Sequence, residues 1–152
     1  MLCILGKTLA YLLPIIELLK KEEFESTSFQ RRLNRPRTII LVPSRELATQ
    51  LLSVAKSLSH YAKFRAVAIV SQVASTTLKR TLHDPIDILI TTPHRLESLL
   101  EKQRIYLSDV RYCIIDEVDT MYEEKNGFLD TMMNILKPLI NRSHTNINAI
   151  PI

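Results

Sequence analysis

The stretch Cys113-Ile114-Ile115-Asp116-Glu117-Val118-Asp119 begins as an apolar run and ends in closely spaced carboxylates. A short apolar run that is rich in β-branched residues is typical of a buried strand. Ligands bind beyond the carboxyl ends of parallel strands, and carboxylate oxygens are preferred ligands of hard cations. We therefore expect Asp116 and Glu117 to form a corner that holds a metal ion and a water molecule.

Three similar apolar runs precede this stretch, and segments of helical period separate them. Strands are predicted over residues 38–42, 65–70, 86–91 and 112–115, and helices over residues 9–21, 44–61, 95–103 and 129–140. Continuous apolar strands that alternate with helices indicate a parallel sheet buried on both faces. The sequence thus predicts the α/β class, with helices on both faces of a parallel sheet.

Composition sets broad limits on function. The chain has 152 residues, 46% of them hydrophobic, which is enough for one domain or part of one. A formal charge of +4 permits a polyanionic partner without showing one. Cys3 and Cys113 lie far apart, which argues against a zinc site or a disulfide framework and favours an intracellular setting. No run approaches the roughly 18 apolar residues needed to cross a membrane.

The polar stretch 21–37 carries four clustered arginines. A segment of this composition is expected to be a solvated loop, because charged side chains are costly to bury unless they are paired. We therefore predict a surface loop here and not a specific RNA-binding arm.

Four short segments at the predicted strand ends and helix starts carry chemistry. In chain order they are Gly6-Lys7-Thr8, Pro43-Ser44-Arg45-Glu46-Leu47-Ala48, Thr91-Thr92-Pro93-His94-Arg95-Leu96 and Ile115-Asp116-Glu117-Val118-Asp119. Each alone is a weak signal. Together they resemble the motifs Gly-Lys-Thr, Pro-Thr-Arg-Glu-Leu-Ala, Thr-Pro-Gly-Arg-Leu and Asp-Glu-Ala-Asp of the first RecA-like domain of DEAD-box ATP-dependent RNA helicases.

This resemblance covers nearly the whole chain and implies a RecA-like fold of the P-loop NTPase type, with ATP and Mg²⁺ as cofactors. Gly6, Lys7 and Thr8 would bind ATP, with Lys7 on the β and γ phosphates and Thr8 as a ligand of Mg²⁺. Asp116 would hold the same ion, and Glu117 would orient or deprotonate the attacking water. The resemblance also implies that Asp119 links this site to the Ser-Ala-Thr segment of a further strand.

The two middle segments imply contacts with the backbone of single-stranded or structured RNA. The residues concerned are Pro43, Ser44, Arg45, Thr92, Pro93 and Arg95. Ser44 and Thr92 lie near predicted helix starts, where free N–H groups favour a phosphate independently of base sequence. Two alternatives remain: an ion pair between Arg45 and Glu46, and a plain surface charge at Arg95.

Three departures from the family pattern concern ligand binding. Met1 stands where the first glycine of the phosphate-binding loop belongs, and residues 1–5 look like a strand that runs directly into Lys7. His94 replaces a glycine, and Ser71-Gln72 replaces a double glycine. Bulky residues resist the positive φ angles of a phosphate-binding nest, so the cradle is expected to be missing.

The resemblance also implies that residues 1–152 form an incomplete first domain, because the Ser-Ala-Thr strand should begin near Ile152 and a second RecA-like domain should follow. We interpret the chain as part of an RNA helicase that is inactive by itself. The alternatives are a non-enzymatic RNA-binding or interaction remnant and a P-loop small-molecule kinase or other NTPase. The Asp119-Thr120-Met121 continuation resembles organellar members, whereas the compartment, the RNA target and the oligomeric state stay open.

Overall fold

The computed structural model describes residues 2–72, 74–122 and 128–143. Strands and helices alternate through most of this length, as the apolar runs predict. In chain order the elements are α1 (Leu2–Glu25), β1 (Thr38–Leu41), α2 (Arg45–Ala62), β2 (Ala66–Ile69), α3 (Ser75–Thr81), β3 (Ile88–Thr91), α4 (Pro93–Glu101), β4 (Tyr112–Ile115), α5 (Val118–Tyr122) and α6 (Phe128–Ser143).

Within the described residues, the strands form one parallel sheet in the order β2-β3-β1-β4. In this register Leu41 of β1 lies beside Thr91 of β3 on one side and beside Ile115 of β4 on the other. The carboxyl ends of three neighbouring strands are therefore level with one another. Chain segments that follow these strands leave the sheet at the same edge.

Two apolar clusters cover the two faces of the sheet. On one face, side chains of α1 and α2 pack with Ile40, Ile90 and Ile114. On the other, side chains of α3, α4 and α6 pack with Ile39, Leu41 and Leu89. Neighbouring strand residues point to opposite faces, so each fully buried strand contributes to both clusters. The predicted α/β class and its parallel sheet with helices on both faces are confirmed.

Helix α1 corrects the expected strand over residues 1–5. Residues 2–5 are helical, and α1 continues without a break through Gly6, Lys7 and Thr8; Met1 lies outside the described residues. An apolar run this short is compatible with either a strand or a buried helix. A single glycine inside a helix costs only about 1 kcal/mol relative to alanine. Gly6 is therefore insufficient to end the helix.

Helix α2 begins where its cap residue predicts. Ser44 has an extended backbone, and its hydroxyl accepts a hydrogen bond from the backbone N–H of Leu47 at 3.2 Å. The helix ends at Ala62, and the next residue, Lys63, has a left-handed backbone and donates its N–H to the carbonyl of Ser59. Helix α3 was not predicted from sequence. It is seven residues long and lacks a side-chain cap, so it offers little periodicity to detect.

The arginine-rich stretch is not a simple solvated loop. Arg37 is only 5% exposed and lies within ion-pairing distance of Glu22, Glu23 and Asp87. Its Nη2 atom also donates to the carbonyl of Leu19 at 2.8 Å. Burial of this guanidinium is tolerated because carboxylates from α1 and from the turn before β3 converge on it. The prediction was wrong for Arg37, whereas Arg32 is 57% exposed, as expected.

None of the helices in the described part of the chain combines the length and apolarity that a membrane span requires.

Candidate active site and nucleic-acid interface

The candidate site lies at the carboxyl edge of the sheet. The backbone N–H of Asp116 donates to the carbonyl of Leu41 at 2.9 Å, and the N–H of Val42 donates to the carbonyl of Thr91 at 3.0 Å. These bonds extend the strand pairing by one residue and align the segments that follow β1, β3 and β4. The crevice beyond such strand ends is the usual place for ligands in parallel α/β sheets.

A cavity of about 330 Å³ brings the first and last of the four sequence segments together. Lys7 and Tyr11 of α1 form one side, whereas Asp116, Glu117 and Asp119 form the other. Lys7 is exposed, and Asp116 and Glu117 are half-buried. One cationic side chain and three carboxylates therefore share an opening that a small charged ligand can enter.

Both carboxylate oxygens of Asp116 accept hydrogen bonds from the protein. The hydroxyl of Tyr11 donates to Oδ2 at 2.8 Å, and the backbone N–H of Glu117 donates to Oδ1 at 3.0 Å. A carboxylate has about four lone-pair positions, so each oxygen still has room for a cation or a water molecule. Burial and the neighbouring Asp116 carboxylate raise the pKa of Tyr11 well above its ordinary value. Tyr11 therefore stays protonated and remains a donor.

Glu117 has a left-handed backbone with φ of 52°. This conformation is unfavourable for a residue with a Cβ atom, and such strain is a known feature of active sites. Asn34, Lys63 and Gln103 share it, and of these four residues only Glu117 lines the cavity. The change of direction after Asp116 lets two consecutive acidic residues contribute to the same cavity. Asp116 and Glu117 are thus adjacent in sequence but differ in backbone conformation.

The Gly6-Lys7-Thr8 segment differs from a phosphate-binding loop. In a regular α-helix each N–H bonds to the carbonyl four residues earlier, so the N–H groups of residues 6–8 of α1 are occupied within the helix. Among the described residues, nothing lies within 4 Å of a Cβ atom added at Gly6, so this glycine marks no close approach to them. The segment fits a phosphate through the ammonium group of Lys7, but its backbone forms no cradle.

The acidic side of the cavity fits a divalent cation better than the Gly6-Lys7-Thr8 segment fits a phosphate. No group of three His, Cys, Asp or Glu side chains able to hold a metal ion occurs within the described residues. Mg²⁺ commonly takes one or two carboxylates and completes its octahedron with water and substrate phosphate. Asp116 meets that requirement. Thr8, the other expected ligand, is only 4% exposed and is not among the residues that line the cavity.

The expected RNA-contacting residues lie on the same edge of the sheet. Pro43 and Ser44 lead into α2, whose first residue Arg45 is exposed. Thr92 and Pro93 lead into α4 in the same way. Because β1 and β3 are neighbours, these two helix starts follow adjacent strands. The Thr92 side chain makes no capping hydrogen bond.

Arg95 is not the surface charge that one alternative assumed. It is 9% exposed, and its buried Nε atom has no hydrogen-bond partner within the described residues. Arg45 and Glu46 are both exposed, so an ion pair between them would contribute little to stability. A nearly buried guanidinium with an unmatched donor is costly and calls for a compensating acceptor.

His94 and Ser71-Gln72 occupy the positions where the family pattern has glycine. His94 is exposed, and its Nδ1 atom lies 3.2 Å from the hydroxyl of Thr131 in α6. Thr131 also donates to Glu97 at 3.3 Å. His94 thereby connects the start of α4 to α6, a role that the sequence did not indicate. Ser71 and Gln72 lie just after β2, half-buried and exposed respectively.

The sequence pattern of the DEAD/DEAH box helicase family matches residues 5–149. The chain belongs to this family. Two helicases illustrate the relationship. DEAD-box ATP-dependent RNA helicase 39 of Arabidopsis thaliana is 37% identical over 138 residues, which cover 91% of this chain and 22% of that protein. The mitochondrial ATP-dependent RNA helicase mrh4 of Aspergillus niger is 33% identical over 170 residues, which cover 91% of this chain and 26% of that protein.

Among solved structures, this DEAD/DEAH box helicase chain resembles the yeast DEAD-box splicing factor Prp28. The TM-score is 0.74 at 29% identity, covering 95% of this chain and 33% of that one. A hypothetical ATP-dependent RNA helicase from Sulfolobus tokodaii, at 24% identity and a TM-score of 0.69, covers 97% of this chain and 45% of that one and shares the fold. The expected RecA-like fold is thus confirmed. The chain spans about a quarter of the length of the curated relatives.

Tyr11 is the residue at this site that the sequence did not identify. It lies three residues after Thr8 in α1, and residues three apart lie on the same face of a helix. The spacing could have indicated Tyr11, because a residue on the same face of α1 as Thr8 is a candidate for the same site. Its partner Asp116 is 105 residues away in sequence, and only the fold brings the two together.

Proposed function

We propose that the chain is part of the first RecA-like domain of an ATP-dependent RNA helicase of the DEAD-box kind. The main support is the cavity that unites Lys7 with Asp116 and Glu117. The segments after β1 and β3, which carry Arg45 and Arg95, leave the sheet at the same edge. A phosphate-hydrolysing centre next to two candidate phosphate-binding helix starts is the arrangement that such a helicase needs.

The hydrolytic step would use the residues that line the cavity. The exposed ammonium group of Lys7 would bind the β and γ phosphates as a point charge. Asp116 would hold Mg²⁺. Thr8, the second ligand that the family resemblance implies, is 4% exposed and lies outside the cavity lining, so its side chain would have to turn toward the ion. The ion supplies positive charge that stabilises the reacting phosphate oxygens when it is bound. Glu117 would orient the attacking water and accept its proton.

RNA would bind through its sugar-phosphate backbone at the starts of α2 and α4. Pro43, Ser44 and Arg45 belong to the first of these surfaces, and Thr92, Pro93 and Arg95 belong to the second. Helix N-termini favour phosphate through their free N–H groups and dipole, and such contacts are independent of base sequence. The unmatched Nε of Arg95 supports this role, because a phosphate oxygen would supply the missing acceptor.

A complete enzyme of this kind would need more than these residues. A second RecA-like domain would close over ATP and RNA, and Asp119, at the edge of the cavity, would couple hydrolysis to that closure. We expect the isolated chain to have little helicase activity. The relatives named as mitochondrial support an organellar location for the protein.

A second candidate function is a non-enzymatic RNA-binding or interaction module with the same fold. The observation that favours it is the helical backbone of residues 6–8, which leaves no phosphate cradle. Such a module would retain the helix starts at Arg45 and Arg95 and would bind RNA without ATP.

The deciding experiment measures ATP hydrolysis with and without single-stranded RNA. The protein would join residues 1–152 to a second RecA-like domain. We expect RNA to stimulate hydrolysis and Glu117→Gln to lower the rate by about 10²-fold or more, the usual contribution of a general base. Glu101→Gln, an exposed carboxylate at the end of α4, is the matched control and should leave the rate unchanged. RNA binding without hydrolysis would favour the second candidate.

A further inference from the structure

Tyr11 reaches the proposed metal-binding carboxylate from inside the protein. Its side chain is 5% exposed and packs within the apolar cluster of α1, α2 and one face of the sheet. The hydroxyl emerges from this cluster at the cavity and donates to Asp116 Oδ2 at 2.8 Å. The ring is therefore fixed by packing, and its one polar atom is directed to a carboxylate.

The two hydrogen bonds to Asp116 restrict how its carboxylate can turn. Tyr11 binds Oδ2, and the backbone N–H of Glu117 binds Oδ1 at 3.0 Å. Rotation about the last side-chain bond would break both bonds together. A metal-binding side chain whose orientation is fixed before the cation arrives loses less conformational freedom on binding, so the affinity of the site for the cation is higher.

Phenylalanine would fill the same volume without the hydroxyl. A buried tyrosine hydroxyl needs a partner, and here its acceptor is a proposed active-site residue. Tyr11 therefore hydrogen-bonds to the carboxylate that is expected to hold Mg²⁺, which a residue serving only to fill the core would not need to do.

We propose that Tyr11 is a positioning residue that holds the Asp116 carboxylate in the orientation needed to bind a divalent cation. This role rests on the proposed function of Asp116 as a ligand of Mg²⁺. Partners of metal ligands that donate hydrogen bonds from outside the coordination sphere typically contribute 10–100-fold to metal affinity. The ligand class is a hard divalent cation with oxygen coordination, for which Mn²⁺ is a paramagnetic probe.

The experiment is a Mn²⁺ titration of the 152-residue chain without nucleotide, followed by NMR. Signal broadening at the backbone amides of Asp116 and Glu117 reports site occupancy directly and needs no enzymatic activity. We expect Tyr11→Phe to raise the Mn²⁺ concentration for half-broadening about tenfold. Tyr61→Phe, at a tyrosine that is 90% exposed on α2, is the matched control and should change nothing.

The outcomes separate this role from the proposed function. If Asp116→Asn abolishes the broadening and Tyr11→Phe leaves it unchanged, Asp116 is a ligand and the role of Tyr11 is overturned. If the unaltered chain shows no broadening centred on Asp116, the metal-binding part of the proposed function fails, and the role of Tyr11 fails with it.

A second measurement keeps the role testable if Tyr11→Phe does not fold. In the unaltered chain, Mn²⁺ must broaden the ring signals of Tyr11 at the same concentration as the amide of Asp116, and must leave those of Tyr61 sharp. Ring signals of Tyr11 that stay sharp would overturn the proposal.

Discussion

Arg37 donates a hydrogen bond to Asp87 at 3.3 Å, and both side chains are almost completely buried, with exposures of 5% and 1%. Glu22 and Glu23 of α1 bind the same guanidinium at 2.8 and 2.6 Å. Asp87 also accepts a hydrogen bond from the backbone N–H of Arg65 at 2.8 Å. This network joins the end of α1 to the amino ends of the sheet, opposite the candidate active site.

Replacement of Arg37 by leucine is expected to destabilise the fold strongly. The change removes the buried cation that Glu22, Glu23 and Asp87 share and leaves Asp87 to pair with the more exposed Arg31, at 3.1 Å. Removing one partner of a buried ion pair typically costs about 3–5 kcal/mol. The measurement is the free energy of unfolding in urea. Arg32→Leu is the control, because Arg32 is 57% exposed in its pair with Asp109 and such pairs contribute about 1 kcal/mol or less. Equal losses in the two variants would contradict the prediction.

Glu23 makes the stability of the fold depend on pH. Burial alone would raise the pKa of Glu23, but hydrogen bonds from Lys20, Arg31 and Arg37 outweigh it and lower the pKa from 4.5 to about 2. A carboxylate whose pKa is lower in the folded state contributes stability above its unfolded pKa and loses that contribution as the pH falls through the folded value. The stabilisation should therefore be complete at neutral pH and decline between about pH 4.5 and pH 2.

The test compares unfolding of the unaltered chain and Glu23→Gln across this pH range. We expect the stability difference to shrink as the pH falls. Glu25→Gln is the control, since the Lys21–Glu25 pair is exposed at 65% and 63% and its contribution should be small throughout. A difference between the unaltered chain and Glu23→Gln that stays constant with pH would refute the assignment.

Ser44 caps α2, so Ser44→Ala should lower the free energy of unfolding by about 1 kcal/mol. The loss arises because the N–H of Leu47 gives up its acceptor in the first turn. Ser53→Ala, an exposed serine in the middle of the same helix, serves as the control and should be neutral or slightly stabilising. Thermal or urea unfolding measures both. A neutral Ser44→Ala would argue against the cap.

The left-handed backbone of Glu117 predicts a conflict between stability and function. Glycine adopts φ near 52° without strain, so Glu117→Gly should be about 1 kcal/mol more stable than Glu117→Ala. When joined to a second RecA-like domain, both variants should lack the ATP hydrolysis that we propose for the complete enzyme. Gln103, with φ of 51°, lies outside the candidate site, so Gln103→Gly and Gln103→Ala form the matched control pair. We expect a similar stability gain for glycine over alanine there, without loss of ATP hydrolysis in the joined protein. If the glycine variant is no more stable than the alanine variant at both positions, the inferred strain is contradicted.

The strands and the main helices could be predicted because their signals are local. The run at 112–115 is apolar and β-branched, and Ser44 marks the start of a segment of helical period. A parallel sheet places the carboxyl ends of its strands at one edge, so the sequence also predicts that Asp116 and Arg95 lie near that same edge. Residues 2–5 were assigned wrongly because so short an apolar run has no decisive period.

The remaining features depend on contacts between distant parts of the chain. Arg37 resembles the other arginines of its segment in sequence, and only the positions of Glu22 and Asp87 in the fold make it buried. The bond from Tyr11 to Asp116 joins residues 105 positions apart, which no local pattern reveals. Burial of Arg95 likewise depends on how α4 packs against the sheet and α6.

The most direct test of the central claim is a calorimetric titration of the 152-residue chain with ATP, with and without Mg²⁺. The claim is that Lys7 and Asp116 form the two sides of one nucleotide-binding cavity. We predict Mg²⁺-dependent binding in the micromolar to millimolar range, loss of binding in Lys7→Ala, and loss of the Mg²⁺ dependence in Asp116→Asn. Lys102→Ala, at an exposed lysine after α4, should bind as the unaltered chain does. Binding that is unchanged in Lys7→Ala, or no binding by the unaltered chain, would contradict the claim.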